Sequence, residues 1–226
     1  MIKELRDLSG IGQVEWRGIY KQSLCKSTIH YFQVGDYMQK INYCIQDLNG
    51  EIPGLQQLTN KNVVYVVTLV TWIREAVRGI RSLYKDEALK GFVFSREDEL
   101  AQANSYLSAV RSFIVAHPLQ TNQHSNYGMD GTLSCIDIKR PGEYLSIVPE
   151  KSIAHLDYAG LHENTKGSAD FYLYAFSTKT EHKDVSMYIG CSLEDIYHAA
   201  ELYIDKLYAL NKHLQKQKGC KSKKSV

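Results

Sequence analysis

Arg111 and His117 are the two residues of this chain whose types and spacing could do chemistry without a metal. Arginine is a permanent cation whose forked N–H donors match phosphate oxygens. Histidine has an ordinary pKa that lets it give or take a proton near neutrality. The segment Val110-Arg111-Ser112-Phe113-Ile114-Val115-Ala116-His117-Pro118 sets both where a helix runs into a proline. Such a pair is the minimum needed to cleave RNA by attack of a ribose 2′-OH on the adjacent phosphate. His117 would move the proton, and Arg111 would neutralise the charge that builds on the phosphorane oxygens. The products would be a 2′,3′-cyclic phosphate and a 5′-hydroxyl, and DNA would be inert.

The elements that must position this pair can be read from apolar spacing. Leu100, Ala103, Leu107, Val110 and Ile114 predict a helix, opened by a capping-box-like Ser95–Asp98 pair with Glu97 and Glu99 beside it. Pro118 ends that helix by disfavouring helical geometry at His117. Within an unbroken helix, residues six apart stand about 120° away from each other. Release of His117 from the last turn lets the imidazole swing toward Arg111.

Two long helices precede this one. Ser27 or Thr28 caps the first, which runs to about Leu48 and is ended by Asn49-Gly50. The second runs from about Asn60 to Tyr84, its valine-rich start deeply buried. Its polar side carries Arg74, Arg78, Arg81 and Lys85 as one basic stripe, either a solvated face or a track for a nucleic-acid backbone. Residues 1–26 read as a weakly patterned arm. The texture then changes: strands are predicted at Thr132–Ile138, Tyr144–Val148, Phe171–Phe176 and Val185–Ile189, the last two joined as a hairpin, with Ser152–Ala169 as loop or broken helix. Ser192 opens a final amphipathic helix reaching about His213. The expected class is α+β: a mainly α-helical up-down bundle of residues 27–117 and 192–217 carrying an inserted small antiparallel β-rich subdomain at 128–191, in a single domain.

The arginine–histidine segment resembles the Arg-x4–6-His signature of HEPN-family proteins, and the plan of long antiparallel helices is similar to theirs. The resemblance implies a metal-independent endoribonuclease acting on RNA, paired as a homodimer through the helix bearing Arg111, in a toxin–antitoxin or phage-defence setting with an antitoxin or regulatory protein as partner. It does not reach the β-rich half of the chain. Where family members commonly place Asn, His or Asp after the arginine, this chain has Ser112. Catalysis is assigned to Arg111 and His117, and substrate binding to Ser112, His124, Arg74, Arg78 and Arg81. The rival reading is a non-catalytic dimeric sensor or adaptor whose β-rich insertion binds a ligand or partner.

Composition narrows the remaining choices. The net charge of +2 conceals a tail: residues 206–226 hold seven lysines and no acid, so the body without them stands at −5. The last stretch, 218–226, reads as a basic disordered tail. Five scattered cysteines without CxxC spacing, behind a charged N-terminus, predict a reduced, cytoplasmic protein. The longest apolar run, Val63–Ile73, is too short to cross a membrane. His155, Asp157, His162 and Glu163 are metal-ligand types, but no required spacing ties them together, so no metal and no cofactor are expected. Tyr172, Tyr174 and Tyr188 suit either cross-strand packing or base stacking.

Overall fold

The valines of the second helix decide the architecture. In the computed structural model, which describes residues 2–11, 17–116, 119–121, 133–139, 153–163, 169–177 and 185–217, helix α2 (Asn60–Ser82) buries Val63, Val66, Val67, Leu69, Val70, Ile73, Val77 and Ile80. So wide an apolar stripe must be covered, and α1 (Thr28–Glu51), α4 (Glu97–Arg111) and α5 (Leu193–Lys216) all pack on it. The valine-rich start is not buried all round as expected, because three helices leave one side of α2 open and Val64, Tyr65 and Trp72 are exposed there. Ser27, Thr59 and Ser192 cap α1, α2 and α5, their hydroxyls accepting the N–H groups of His30, Asn62 and Asp195 at 3.2 Å. The last helix therefore closes the bundle, as its apolar face requires. Among the described residues, no helix is long and apolar enough to cross a membrane.

Among the described residues, six strands form one sheet in the order β1-β2-β5-β6-β3-β4. They span Leu119–Thr121 (β1), Leu133–Lys139 (β2), Ile153–Asp157 (β3), Gly160–Glu163 (β4), Phe171–Ser177 (β5) and Val185–Cys191 (β6). Leu156, Phe171, Leu173, Ile189 and Cys191 join the helices in one continuous core. Tyr174 sits opposite Tyr188 on neighbouring strands with ring centres 4.8 Å apart, the geometry of a cross-strand pair. The chain is thus an α+β protein, and the strand segments around 133, 171 and 185 stand where periodicity puts them.

Several expectations are corrected. The sheet is mixed rather than antiparallel, because β3 runs parallel to β6, and its first strand begins at Leu119, ahead of 128. The segment expected to be loop contains the β3–β4 hairpin; its turn is set locally by the Asp157 carboxylate, which accepts the Ala159 and Gly160 N–H groups at 2.7 and 3.2 Å. Helix α1 does not stop at Asn49-Gly50, since the Asn49 side chain bonds both the N–H and the C=O of Leu5 (2.8 and 2.9 Å) and a tertiary contact holds that turn. Arg96, not Ser95, is the N-cap of α4 and makes no side-chain cap bond; Glu97, Asp98 and Glu99 complement the helix start instead. A four-residue helix, α3 (Asp86–Leu89), links α2 to this start. The expected strand at Tyr144–Val148, the loop at 178–184 and the tail at 218–226 lie outside the described residues.

The N-terminal arm is part of the core. Leu5, Ile11, Ile19, Leu24 and Cys25 are all buried. Lys26 N–H bonds the Leu83 carbonyl at 2.9 Å and Lys85 N–H bonds that of Leu24 at 3.0 Å, stitching the entry of α1 to the exit of α2. Gly18 has φ +60°, and a Cβ there would lie 2.0 Å from Oδ1 of Asn211, which accepts the Ile19 N–H at 3.0 Å. Only glycine fits both demands.

Candidate nucleic-acid interface

Helices α2 and α4 run antiparallel, and a ladder of polar contacts rises between them. Arg78 donates to Oδ1 of Asn104 at 2.8 Å. One turn away, Arg74 donates to Oγ of Ser108 at 3.0 Å and pairs with Glu75 at 2.9 Å. Asn104, Ser108 and Arg111 stand at i, i+4 and i+7, so they share one stripe of α4. Arg111 is the next rung, about 10 Å from Asn104 along the axis. It is half-buried in the last turn, and among the described residues no carboxylate pairs with it. The structure therefore unites Arg74, Arg78 and Arg111 on one seam, which the sequence treated as separate motifs.

Beyond Arg111 the helix widens into a π-helical turn, Ser112–Ala116. Ser112 is only 6% exposed. Its hydroxyl belongs to the packed interior, not to the surface expected of a substrate contact. His117 and His124 lie outside the described residues.

The basic stripe on α2 divides for a packing reason. Arg74 is 5% exposed and turned into the α4 contact, while Arg78 and Arg81 remain open. Lys85 lies past the helix end and donates to the carbonyl of Ser23 at 2.9 Å. Arg78 and Arg81 line two cavities. One, of about 700 Å³, is lined also by Lys26 and Lys90 and by the carboxylates of Asp86 and Glu87. The other, of about 350 Å³, is lined by Phe92, Asn104, Tyr203 and Lys206 among others. Lys206 is held by both oxygens of Glu97 (2.7 and 2.9 Å), so it adds little free charge. The guanidinium of Arg81 stands 5.9 Å from the centre of the Phe92 ring. Tyr203 donates to the same Asn104 oxygen at 3.0 Å, fixing the amide between α2, α4 and α5. This arrangement can hold an extended anion along α2.

A second charged centre went unread in the sequence. His198 of α5 places Nε2 2.7 Å from Glu99 and Nδ1 2.9 Å from Glu201. Arg96 grips Glu99 with two nitrogens (2.8 and 3.0 Å) and reaches Asp205 at 2.7 Å, which also receives Arg6 at 3.0 Å. Tyr158 stacks on His198, with ring centres 6.0 Å apart and planes at 20°, and its hydroxyl donates to the Asp195 carbonyl. Hydrogen bonds from Arg96 and then His198 hold the Glu99 carboxyl down to about 2. Burial works against charge on His198, but the bonds to Glu99 and Glu201 together keep its pKa above the ordinary value. Glu194, Asp195, His198, Glu201 and Asp205 line a cleft of about 570 Å³ against residues 2–6 of the arm. The Arg96–Glu99 and His198–Glu201 i,i+3 spacings were the available signal; their meeting is a product of the fold.

Of the metal-ligand types in β3 and β4, His162 pairs with Asp157 at 3.0 Å. No group of three or more His, Cys, Asp or Glu side chains suited to a metal ion occurs among the described residues. Comparison with known protein families, curated proteins and solved structures gives no match to this chain.

Proposed function

We propose that the chain is a metal-independent endoribonuclease of HEPN-like kind. Arg111 stabilises the phosphorane, His117 transfers the proton, and Arg78 and Arg81 hold the flanking phosphates of the RNA. The observation that supports this reading is the polar seam, in which buried Arg74 and exposed Arg78 hold the α4 stripe that leads to Arg111, with Arg78 and the neighbouring exposed Arg81 lining cavities that hold further cations. Arginine forks suit phosphate oxygens, and a single strand of RNA can follow such a row. The setting consistent with it is toxin–antitoxin or phage defence, with a neutralising protein partner. Burial of Ser112 favours a second reading, a non-catalytic sensor or adaptor that keeps the seam as a binding surface.

Purified protein incubated with RNA in EDTA tests the choice. Cleavage leaving 2′,3′-cyclic phosphate ends is expected, with DNA untouched. Arg111→Ala and His117→Ala should each abolish it, general acid–base catalysis being worth about 10²–10⁴-fold. Arg111→Lys should rescue poorly, because a point charge cannot reproduce the fork. Circular dichroism confirms that the variants fold. RNA left intact across several substrates, or cut equally well by the double variant, defeats the nuclease reading in favour of the adaptor.

A further inference from the structure

The outward face of the α1–α2 hairpin carries large exposed apolar side chains set among charged ones. Ile29 is 71% exposed, Phe32 65%, Tyr43 52% and Trp72 43%. Positions 29, 32, 36, 40, 43 and 47 advance by three and four, so Ile29, Phe32, Asp36, Lys40, Tyr43 and Asp47 make one stripe of α1. Helix α2 extends it: the Lys40 ammonium sits 3.5 Å from the centre of the Trp72 ring, and the Tyr65 hydroxyl donates to Asp47 at 2.9 Å. The exposed apolar side chains sum to roughly 600 Å², given the size of aromatic residues. With the charged side chains between them, the face is of the order of the ~800 Å² each partner contributes to a stable interface.

We propose that this face binds a second copy of the same chain, the two α1 helices lying antiparallel about a twofold axis midway between Asp36 and Lys40. The order of residues along the stripe selects this occupant. A twofold interface sets residue i on j and j on i. At about 1.5 Å of rise per residue, this axis brings Asp36 of each copy level with Lys40 of the other. The same register brings Phe32 of each copy level with the turn that carries Tyr43 of the other. Two opposite-charge pairs are then flanked by two aromatic pairs, with Trp72 beside each Lys40. A parallel alignment would instead oppose Asp36 to Asp36 and Lys40 to Lys40. The contact lies on α1 and α2, not on the Arg111 helix to which the family resemblance assigns dimerisation. It does not depend on nuclease activity.

Sedimentation of the full chain at micromolar concentration tests it. A dimer is expected, weakened at least about tenfold by Phe32→Glu, as for a central aromatic contact. Asp36→Lys alone should also weaken it, by facing Lys40 with lysine; adding Lys40→Asp should restore it. The substituted positions are on the surface, and circular dichroism verifies the fold. A wild-type monomer up to about 100 μM, far above the concentrations at which interfaces of this size assemble, overturns the proposal. A dimer indifferent to Phe32→Glu overturns the assigned face. A double variant no tighter than Asp36→Lys overturns the antiparallel register.

Discussion

His198→Gln probes the charged centre between α4 and α5, and its effect can be worked from the geometry. Both ring nitrogens of His198 lie within 2.9 Å of carboxylate oxygens. A neutral imidazole has one donor, so satisfying both bonds requires the imidazolium. The folded pKa lies above the 6.5 of the free side chain. Stability from the proton is therefore fully present below pH 6.5 and is lost as pH rises through the folded value. Fully buried bonds to a charge would contribute about 1.5–3 kcal/mol each. Here the side chain is 31% exposed, Glu99 39% and Glu201 56%, so solvent screening cuts the pair to about 1–1.5 kcal/mol. For a chain of this length that is about 3–5 °C in Tm. The Tm difference between wild type and His198→Gln, followed by calorimetry against pH, should be largest below 6.5 and shrink as the pH rises. Lost stacking on Tyr158 adds a pH-independent offset, so the change in the difference carries the prediction. Arg96, Asp195, Asp205 and Tyr158 also face this centre and are unaltered in the comparison. Parallel Tm curves across this range would refute the double-donor account.

Glu99 adds the opposite limb: its pKa is held to about 2 against an ordinary 4.5, so its contribution persists above 4.5 and vanishes as pH falls through 2; Glu99→Gln should flatten the acid side of a Tm–pH curve. Replacing Arg78 and Arg81 together with Ala should weaken single-stranded RNA binding at all sequences and lower the salt slope by about 1.4, at roughly 0.7 per phosphate contact; an unchanged slope in fluorescence anisotropy would place the RNA elsewhere. Tyr106→Phe should cost about 1–3 kcal/mol in urea unfolding, because the hydroxyl accepts the Ser192 N–H (3.1 Å) and donates to its carbonyl (3.0 Å) at the start of α5; a variant as stable as wild type would deny that link its role.

The sequence by itself determined the elements with strong local causes. Ser27 and Ser192 cap helices because a hydroxyl reaches the N–H three residues on, and the apolar spacing of α2 foretells a helix that its neighbours must cover. The aromatic and apolar runs of β5 and β6 likewise fix strands. What depended on distant partners was not legible. Asn49 continues a helix that Asn-Gly should end, because Leu5 occupies its amide. Gly18 looks like a break but is a packing requirement against Asn211, 193 positions away. Arg74 and Arg78 appear as one stripe with Arg81 until α4 arrives and claims Arg74 for Ser108. Periodicity names a face of a helix, but the tertiary structure decides whether that face meets water, a neighbouring helix or another charge. For that reason Arg111 was visible as a residue while its place on the seam was not, and His198 was not singled out until α4, α5 and the β3–β4 turn brought carboxylates and a tyrosine around it.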